Sequence, residues 1–363
     1  MPKPDAIFTP EATTVDIRLD SVQTIIHSMV LMVRSEELSG LNPWIYETIS
    51  ALTAEQKATH ELVLIGVHFA VVPTRFWKDF PTFLAHLEKS DPLVLRDKVL
   101  DFYLTFEPCE KTGKLIEGTK DSLLEDFEFF LEFLRNRFGE EQVFPEIEKN
   151  AHKLLNDPEK MQQIITNHLR FLWEEYFQEE WERVKPMLTD AVMAFGEIDF
   201  RNMSREEAAK YITEQDLNQE YWDLSSKDIN QLVFVPSAHV GPYLGKFKYK
   251  NTLGVIFGAR LPKDTKIHAP DLSRNEITIR LSALADDVRL HILKLMAEEG
   301  ELRSQEIMER LQLSQSAASR HLKQLSATGY LTERRCSGAK CYSLNTNKIQ
   351  DTLRAVSAFL LCD

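Results

Sequence analysis

The sequence predicts an α+β protein that is mainly α, with a small antiparallel β-sheet and a large helical N-terminal region followed by a distinct C-terminal segment. Three observations carry that prediction. Apolar residues recur at three- and four-residue steps through most of residues 21–214, as in 126–138 (DFEFFLEFLRNRF). Short β-rich runs follow within 232–260. Residues 281–344 then show a helix, two further helices joined by a short turn, and a hairpin pattern.

Taken in order, residues 13–20 (TTVDIRLD) alternate and are rich in β-branched types, the pattern of a short strand. Gly40, Pro43, Pro73, Pro81, Pro92, Gly113, Gly118, Gly139, Pro158, Pro186 and Gly196 divide the next region into roughly eight to ten helices. The runs LVFVP (232–236), YLGKFKY (243–249) and LGVIFGA (253–259) are punctuated by Gly241-Pro242 and Asn251-Thr252. They read as the antiparallel sheet, to which 13–20 adds a strand. The polar stretch around 261–274 marks a linker, placed at 263–275. The chain therefore divides into 1–262, a mainly helical sensor or interaction region, and 276–363.

With 363 residues and 43% hydrophobic content, the chain supports two or more buried cores. No apolar run reaches the ~20 residues of a membrane span. The first ten residues hold no apolar block, so no signal peptide is expected. The four cysteines, Cys109, Cys336, Cys341 and Cys362, are too scattered for a disulfide framework, and a reducing cytoplasm is the expected compartment. The net charge of −13 is unevenly spread. Residues 276–363 hold 12 Lys/Arg and 11 Asp/Glu, leaving 31 basic and 45 acidic residues elsewhere. Residues 314–345 hold five basic residues and one acid. A basic patch on an acidic body fits local DNA contact and disfavours broad non-specific binding.

Asp286 is placed to cap a helix with Val288, Ile292, Leu295 and Met296 at core spacing. Ser304 is expected to cap a second helix, and Ser314 a third that ends at Gly329. Helix, short turn and helix followed by the hairpin 330–344 make a winged helix-turn-helix. On the third helix Ala318, Leu322 and Leu325 share the apolar face, while Ser316, Ser319, Arg320 and Lys323 point the other way. Gln315 sits in the first turn. Gln and Arg read base edges, whereas Ser, Lys and the helix N-terminus at Ser314 bind phosphates. Arg334, Arg335 and Lys340 near the hairpin tip form a basic wing.

The runs LADDVRLHILKLM (284–296) and LSQSAASRHLKQLSATGYLTERR (313–335), with a hairpin ending in YSL (342–344), closely resemble the ArsR/SmtB-like (arsenic-repressor-type) winged-helix regulators. The resemblance covers about residues 277–344. It implies a dimeric prokaryotic transcription factor that binds double-stranded DNA through 315–328. It places Gln315, Ser316, Ser319 and Arg320 nearest the bases and His321 near a phosphate. Metal-sensing members carry Cys-x-Cys at the start of the scaffold helix, where this chain has Arg303 and Gln305. Their other common site uses Asp and His on the C-terminal helix, and residues 349–361 hold no His. Metal sensing is therefore not carried over. The N-terminal region is similar to those of larger members of the class, a likeness that brings no ligand.

The remaining patterns favour plain readings. His60 and His68 lack the companions of a known ligand set, and no metal or other cofactor is expected. No phosphate-cradling loop or nucleophile elbow appears, so no enzyme activity is expected. Phe171, Trp173, Tyr176, Phe177 and Trp181 read as core rather than as a ligand box. After the wing, Ile349, Leu353, Val356 and Phe359 or Leu360 form an apolar stripe. It packs on Leu281 and Leu284 of its own chain or pairs across a two-fold axis, and the homodimer is the favoured expectation. Cys336 and Cys341, if paired directly, would share a face beside Arg334, Arg335 and Lys340, which would lower the thiol pKa and suit a labile disulfide. Two ordinary reduced thiols are the plainer expectation. The function expected is sequence-specific transcriptional regulation, with the N-terminal region responding to a small molecule or a partner. The second reading is an adaptor that uses the winged helix to bind protein.

Overall fold

The computed structural model describes residues 14–108, 115–217, 219–224, 226–262, 270–336 and 339–361. The chain separates into two compact units, one made of residues 20–33 and 47–182, the other of 1–19, 34–46 and 183–363. The first is helical. Several of its helices begin where a carboxylate cap meets a proline. Asp79 accepts from Thr82 N at 2.8 Å ahead of Pro81, Asp91 from Leu93 N at 2.9 Å ahead of Pro92, and Asp157 from Lys160 N at 3.2 Å ahead of Pro158. Proline is tolerated there because the first-turn N–H has no intrahelical partner to lose.

Among the described residues twelve α-helices lie between 21 and 213, more than the breakers suggest. Two of the additional starts are capping boxes, at Thr53 with Gln56 and at Thr119 with Ser122. The break expected at Pro186 does not occur, and the helix Gln178–Gly196 runs through it. Proline in a helix interior costs about 3 kcal/mol. The buried stripe Val184, Leu188, Ala191 and Phe195 offsets that cost. Within the first unit, Pro158–Leu172 packs on Phe80–Lys89 and Pro92–Thr105 around Phe80, Phe83, Ile165 and Leu169. Phe177 and Trp181 are buried as core, while Phe171, Trp173 and Tyr176 are half-buried.

The second unit holds a sheet of β1 (Thr14–Ile17), β2 (Gln231–Ser237), β3 (Gly245–Tyr249) and β4 (Thr252–Gly258), in the order β1-β2-β4-β3. The sheet is mixed, not antiparallel as expected for this region. β1 pairs with β2 in parallel, β2 with β4 in parallel, and only β3 with β4 antiparallel. The tight turn at Lys250 and Asn251 makes a hairpin, as the local signal predicts. The loop 238–244 carries the chain past one strand position, so the hairpin presents β4 to β2. One face packs Leu232, Phe234, Leu253, Val255 and Phe257 against the helix Arg205–Thr213 and its neighbours.

The C-terminal elements are the helices Pro270–Leu284 and Asp287–Glu299, β5 (Leu302–Arg303), the scaffold helix Ser304–Leu311, the recognition helix Gln315–Ala327, β6 (Leu331–Cys336), β7 (Ala339–Leu344) and the helix Thr346–Leu361. This second sheet is antiparallel, in the order β5-β7-β6. Its core is Ile292, Met296, Ile307, Leu322, Leu325, Tyr330 and Tyr342. Of the expected linker, 263–269 lie outside the described residues and 270–275 are already helical. The sheet of β1–β4 and the winged helix belong to one compact unit. Segments distant in sequence, 34–46 among them, knit the two together. Among the described residues no helix is long and apolar enough to cross a membrane.

Candidate nucleic-acid interface

The recognition helix is positioned by local chemistry. Ser314 is extended (φ −66°, ψ 155°), and its side chain accepts from Ala317 N at 3.2 Å. Asp286 likewise caps the helix Asp287–Glu299, accepting from Arg289 N at 2.9 Å. The cap expected at Ser304 falls one residue earlier, where Arg303 N donates to Glu306 Oε2 at 2.6 Å. Gly329 ends the recognition helix at φ +79°, a left-handed conformation that a Cβ would strain.

The helix has two unlike halves. In the first, Gln315, Ser316, Ser319 and Arg320 are exposed, and Lys323 lies one turn beyond. Arg320 makes no hydrogen bond or ion pair among the described residues. Ala318, Leu322 and Leu325 are buried, as their spacing predicts. His321 is a correction. It is only 6% exposed, with Nδ1 3.7 Å from Asp286 Oδ1, and does not face outward toward a phosphate. It stands three residues after Ala318 and four before Leu325, on the apolar face. Burial lowers its pKa, the charges of Arg289 and Arg320 add to that, and Asp286 opposes it.

The second half is occupied by the rest of the unit, which sequence reasoning did not find. Gln324 is fully buried, and Ser39 Oγ donates to its Oε1. Gly40, at φ +86°, lies so close that a Cβ there would come 2.6 Å from Gln324 Nε2. Gln215 Nε2 donates to Ala327 O at 3.1 Å and to Pro242 O at 2.7 Å. Tyr243 Oη donates to Ser39 O at 2.7 Å. Beyond Gly329, the buried Tyr330 hydroxyl lies 3.1 Å from both Arg280 O and Thr352 Oγ1. One side chain thereby ties the end of the recognition helix to the helices Pro270–Leu284 and Thr346–Leu361.

The wing cations are exposed and engage neighbouring carboxylates. Arg334 Nε donates to Glu301 Oε1 at 2.6 Å, and Lys340 Nζ is 2.6 Å from Glu333 Oε1. Arg335 is exposed beside them, opposite Lys340 in register. Both pairs lie at the surface, where solvent and salt screen them. The register sets Cys341 opposite Arg334 and Cys336 opposite Ala339, so the two cysteines are diagonal rather than directly paired. The Cys336 thiol is pushed up, not down. Its hydrogen bond with Cys341 and its burial outweigh the lowering by Arg334. Glu301, Cys336 and Cys341 nevertheless bring three donor atoms within 4.8 Å of one another. Arg334 holds the carboxylate of that set, and a cation would have to displace it.

Of the residues expected at a dimer interface, Leu281 and Leu353 are exposed on this chain, at 37% and 57%. Leu284 and Ile349 pack on the core of their own winged helix, and Val356 is half-buried. The Leu360 side chain lies outside the described residues. Phe359 is 44% exposed.

Residues 286–333 match the family model described as bacterial regulatory protein, arsR family. Over 57 residues the chain is 47% identical to the arsenic resistance transcriptional regulator ArsR1 of Pseudomonas putida, a stretch that is 16% of this chain and 44% of that protein. The chain thus spans less than half the length of the curated relative it matches. Among solved structures it is similar to NolR from Sinorhizobium fredii, at 31% identity over 26% of this chain and 93% of that one, with a TM-score of 0.22.

Proposed function

We propose that this chain, which carries an arsR-type winged helix-turn-helix over residues 286–333, is a DNA-binding transcriptional regulator of the cytoplasm. The observation that carries the reading is the open first half of the recognition helix. There Gln315, Ser316, Ser319 and Arg320 stand exposed on a capped, rigid element. Arg320 suits the O6 and N7 acceptors of guanine and Gln315 the N6 and N7 pair of adenine in a major groove. The Ser314 end of the helix and Lys323 suit phosphate, and Arg334, Arg335 and Lys340 take the flanking backbone by exchanging Glu301 and Glu333 for it. The exposed face is polar, which favours DNA over an apolar protein partner.

Two copies related by a two-fold axis would present half-sites about 34–36 Å apart. Leu281, Leu353 and Phe359 supply exposed apolar surface for that contact, with Val356 and Leu360 on the same stripe. The rest of the unit reaches the recognition helix through Gln324 and Ala327, which gives an effector a physical route to the DNA-reading element. A mobility shift on the DNA upstream of the chain's own coding region tests the reading. The expected result is a salt-sensitive complex lost with Arg320→Ala. No complex at any salt concentration, with protein captured instead by the winged helix, would favour the adaptor reading.

A further inference from the structure

The carboxyl ends of β2 and β4 lie side by side, at Ser237 and Gly258. In sheets with parallel strands the crevice beyond those ends is where ligands bind. Here it holds a cavity of about 70 Å³, bounded also by Leu244, Ile279, Ala327 and the side chains of Arg260, Arg280 and Lys348. One enclosed water needs roughly 10–15 Å³ by this measure, so the cavity admits more than a single solvent molecule.

Its walls are rich in positive charge. Arg260 and Arg280 are each 14% exposed and Lys348 17%. They converge on Glu214, at 3.1, 2.8 and 2.7 Å. Arg280 also pairs with Glu276, and Arg260 donates to Thr213 O. Burial alone would raise the Glu214 pKa, yet the charges of Arg260, Lys348 and Arg280 hold it well below the usual carboxylate range. Among the described residues, three permanent or near-permanent cations thus face the carboxylates of Glu214 and Glu276. Between them the three carry roughly thirteen N–H donors. Among the described residues the acceptors they meet are fewer, and Arg260 Nε is buried with no partner there.

We propose that this cavity is the effector site of the regulator and takes a small organic carboxylate. The carboxylate group meets Arg260 and Lys348, and a short apolar portion lies against Leu244 and Ile279. Guanidinium forks match a carboxylate, and the part-apolar lining distinguishes an organic acid from inorganic phosphate. Arg280 lies in the helix Pro270–Leu284, Lys348 in the first turn of Thr346–Leu361, and Ala327 at the end of the recognition helix. A ligand that redistributes those charges acts on the elements that Tyr330 joins.

The inference rests on the DNA-binding reading, and one experiment separates the two. The full chain is heated with sodium acetate, propionate, butyrate or succinate at fixed ionic strength, with sodium phosphate and sodium chloride as controls. DNA binding is measured in the same samples. The expected result is a saturable rise in Tm of about 2–4 °C with at least one carboxylate, and a change in DNA affinity of at least about 5-fold. Arg260→Gln removes both. Ile279→Phe, which fills the cavity and leaves the charges in place, also removes both. It keeps the test open should the charge variant fail to fold. No carboxylate response beyond chloride, an equal response to phosphate, a response retained in both variants, or a Tm shift without any change in DNA affinity would each overturn the proposal. DNA binding without a carboxylate response would overturn only this inference, whereas absence of DNA binding in the parent would overturn the reading beneath it.

Discussion

The two halves of the recognition helix are built from similar residues and used in opposite ways. Gln315 and Gln324 are the same residue type nine positions apart. Gln315 is exposed, while Gln324 is fully buried and bonded to Ser39. Arg320 is unengaged among the described residues, whereas Thr328 is buried with its hydroxyl donating to Gln324 O at 2.8 Å. On the proposed function, the helix is both reader and joint. Its first turns leave their polar groups exposed, and its last turns bond to Ser39 and Gln215 through Gln324 and Ala327.

The largest effect should come from the open half. Arg320→Ala and Gln315→Ala are each expected to weaken cognate binding by about 1–3 kcal/mol and to relax specificity at one base position. Fluorescence anisotropy on cognate and scrambled duplexes measures this, and equal losses on both would assign the residues to phosphate. Gln324→Ala tests the closed half. Ser39 loses its buried acceptor, so stability should fall by about 1–2 kcal/mol in urea unfolding, with DNA affinity changed less than by Arg320→Ala. A reversal of that order would mean that the halves were assigned the wrong way round.

The wing gives a smaller, sequence-independent effect. Arg334→Ala should reduce the slope of log affinity against log salt by about 1 on every duplex, since one phosphate contact is lost. His321 marks the boundary between the halves and should have the least effect on that slope. Its pKa lies below the ordinary value of a histidine, burial being the main cause, which disfavours the charged ring. His321→Phe should therefore leave the salt slope at pH 7 unchanged. A slope lowered by a full unit would restore His321 as a charged phosphate contact.

What was legible in the sequence follows the range of the forces involved. The Asp286 and Ser314 caps, the glycine at 329 and the polar face of the recognition helix are local, and each stands where spacing puts it. The helical wheel also carried the answer for His321, which the family likeness had placed at a phosphate. Gln324 sat in plain view as a polar residue between Leu322 and Leu325. Its partner Ser39 is 285 residues away, and no periodicity reaches that far. The same holds for Glu214, whose partners Arg260, Arg280 and Lys348 come from separate elements. The parallel pairing of β2 with β4 was missed because strand patterns fix which face is buried but not which neighbour a strand takes. The diagonal offset of Cys336 and Cys341 depends on hairpin register, which the pattern of 330–344 does not specify.

We propose that the open half of the recognition helix reads DNA sequence. It is tested most directly by selecting duplexes from a random library with the full chain, in parallel with Arg320→Ala and Gln315→Ala. The parent should enrich one motif, and each variant should lose preference at a distinct position within it. Enrichment of no motif by the parent, or of the same motif at equal strength by all three proteins, would contradict it.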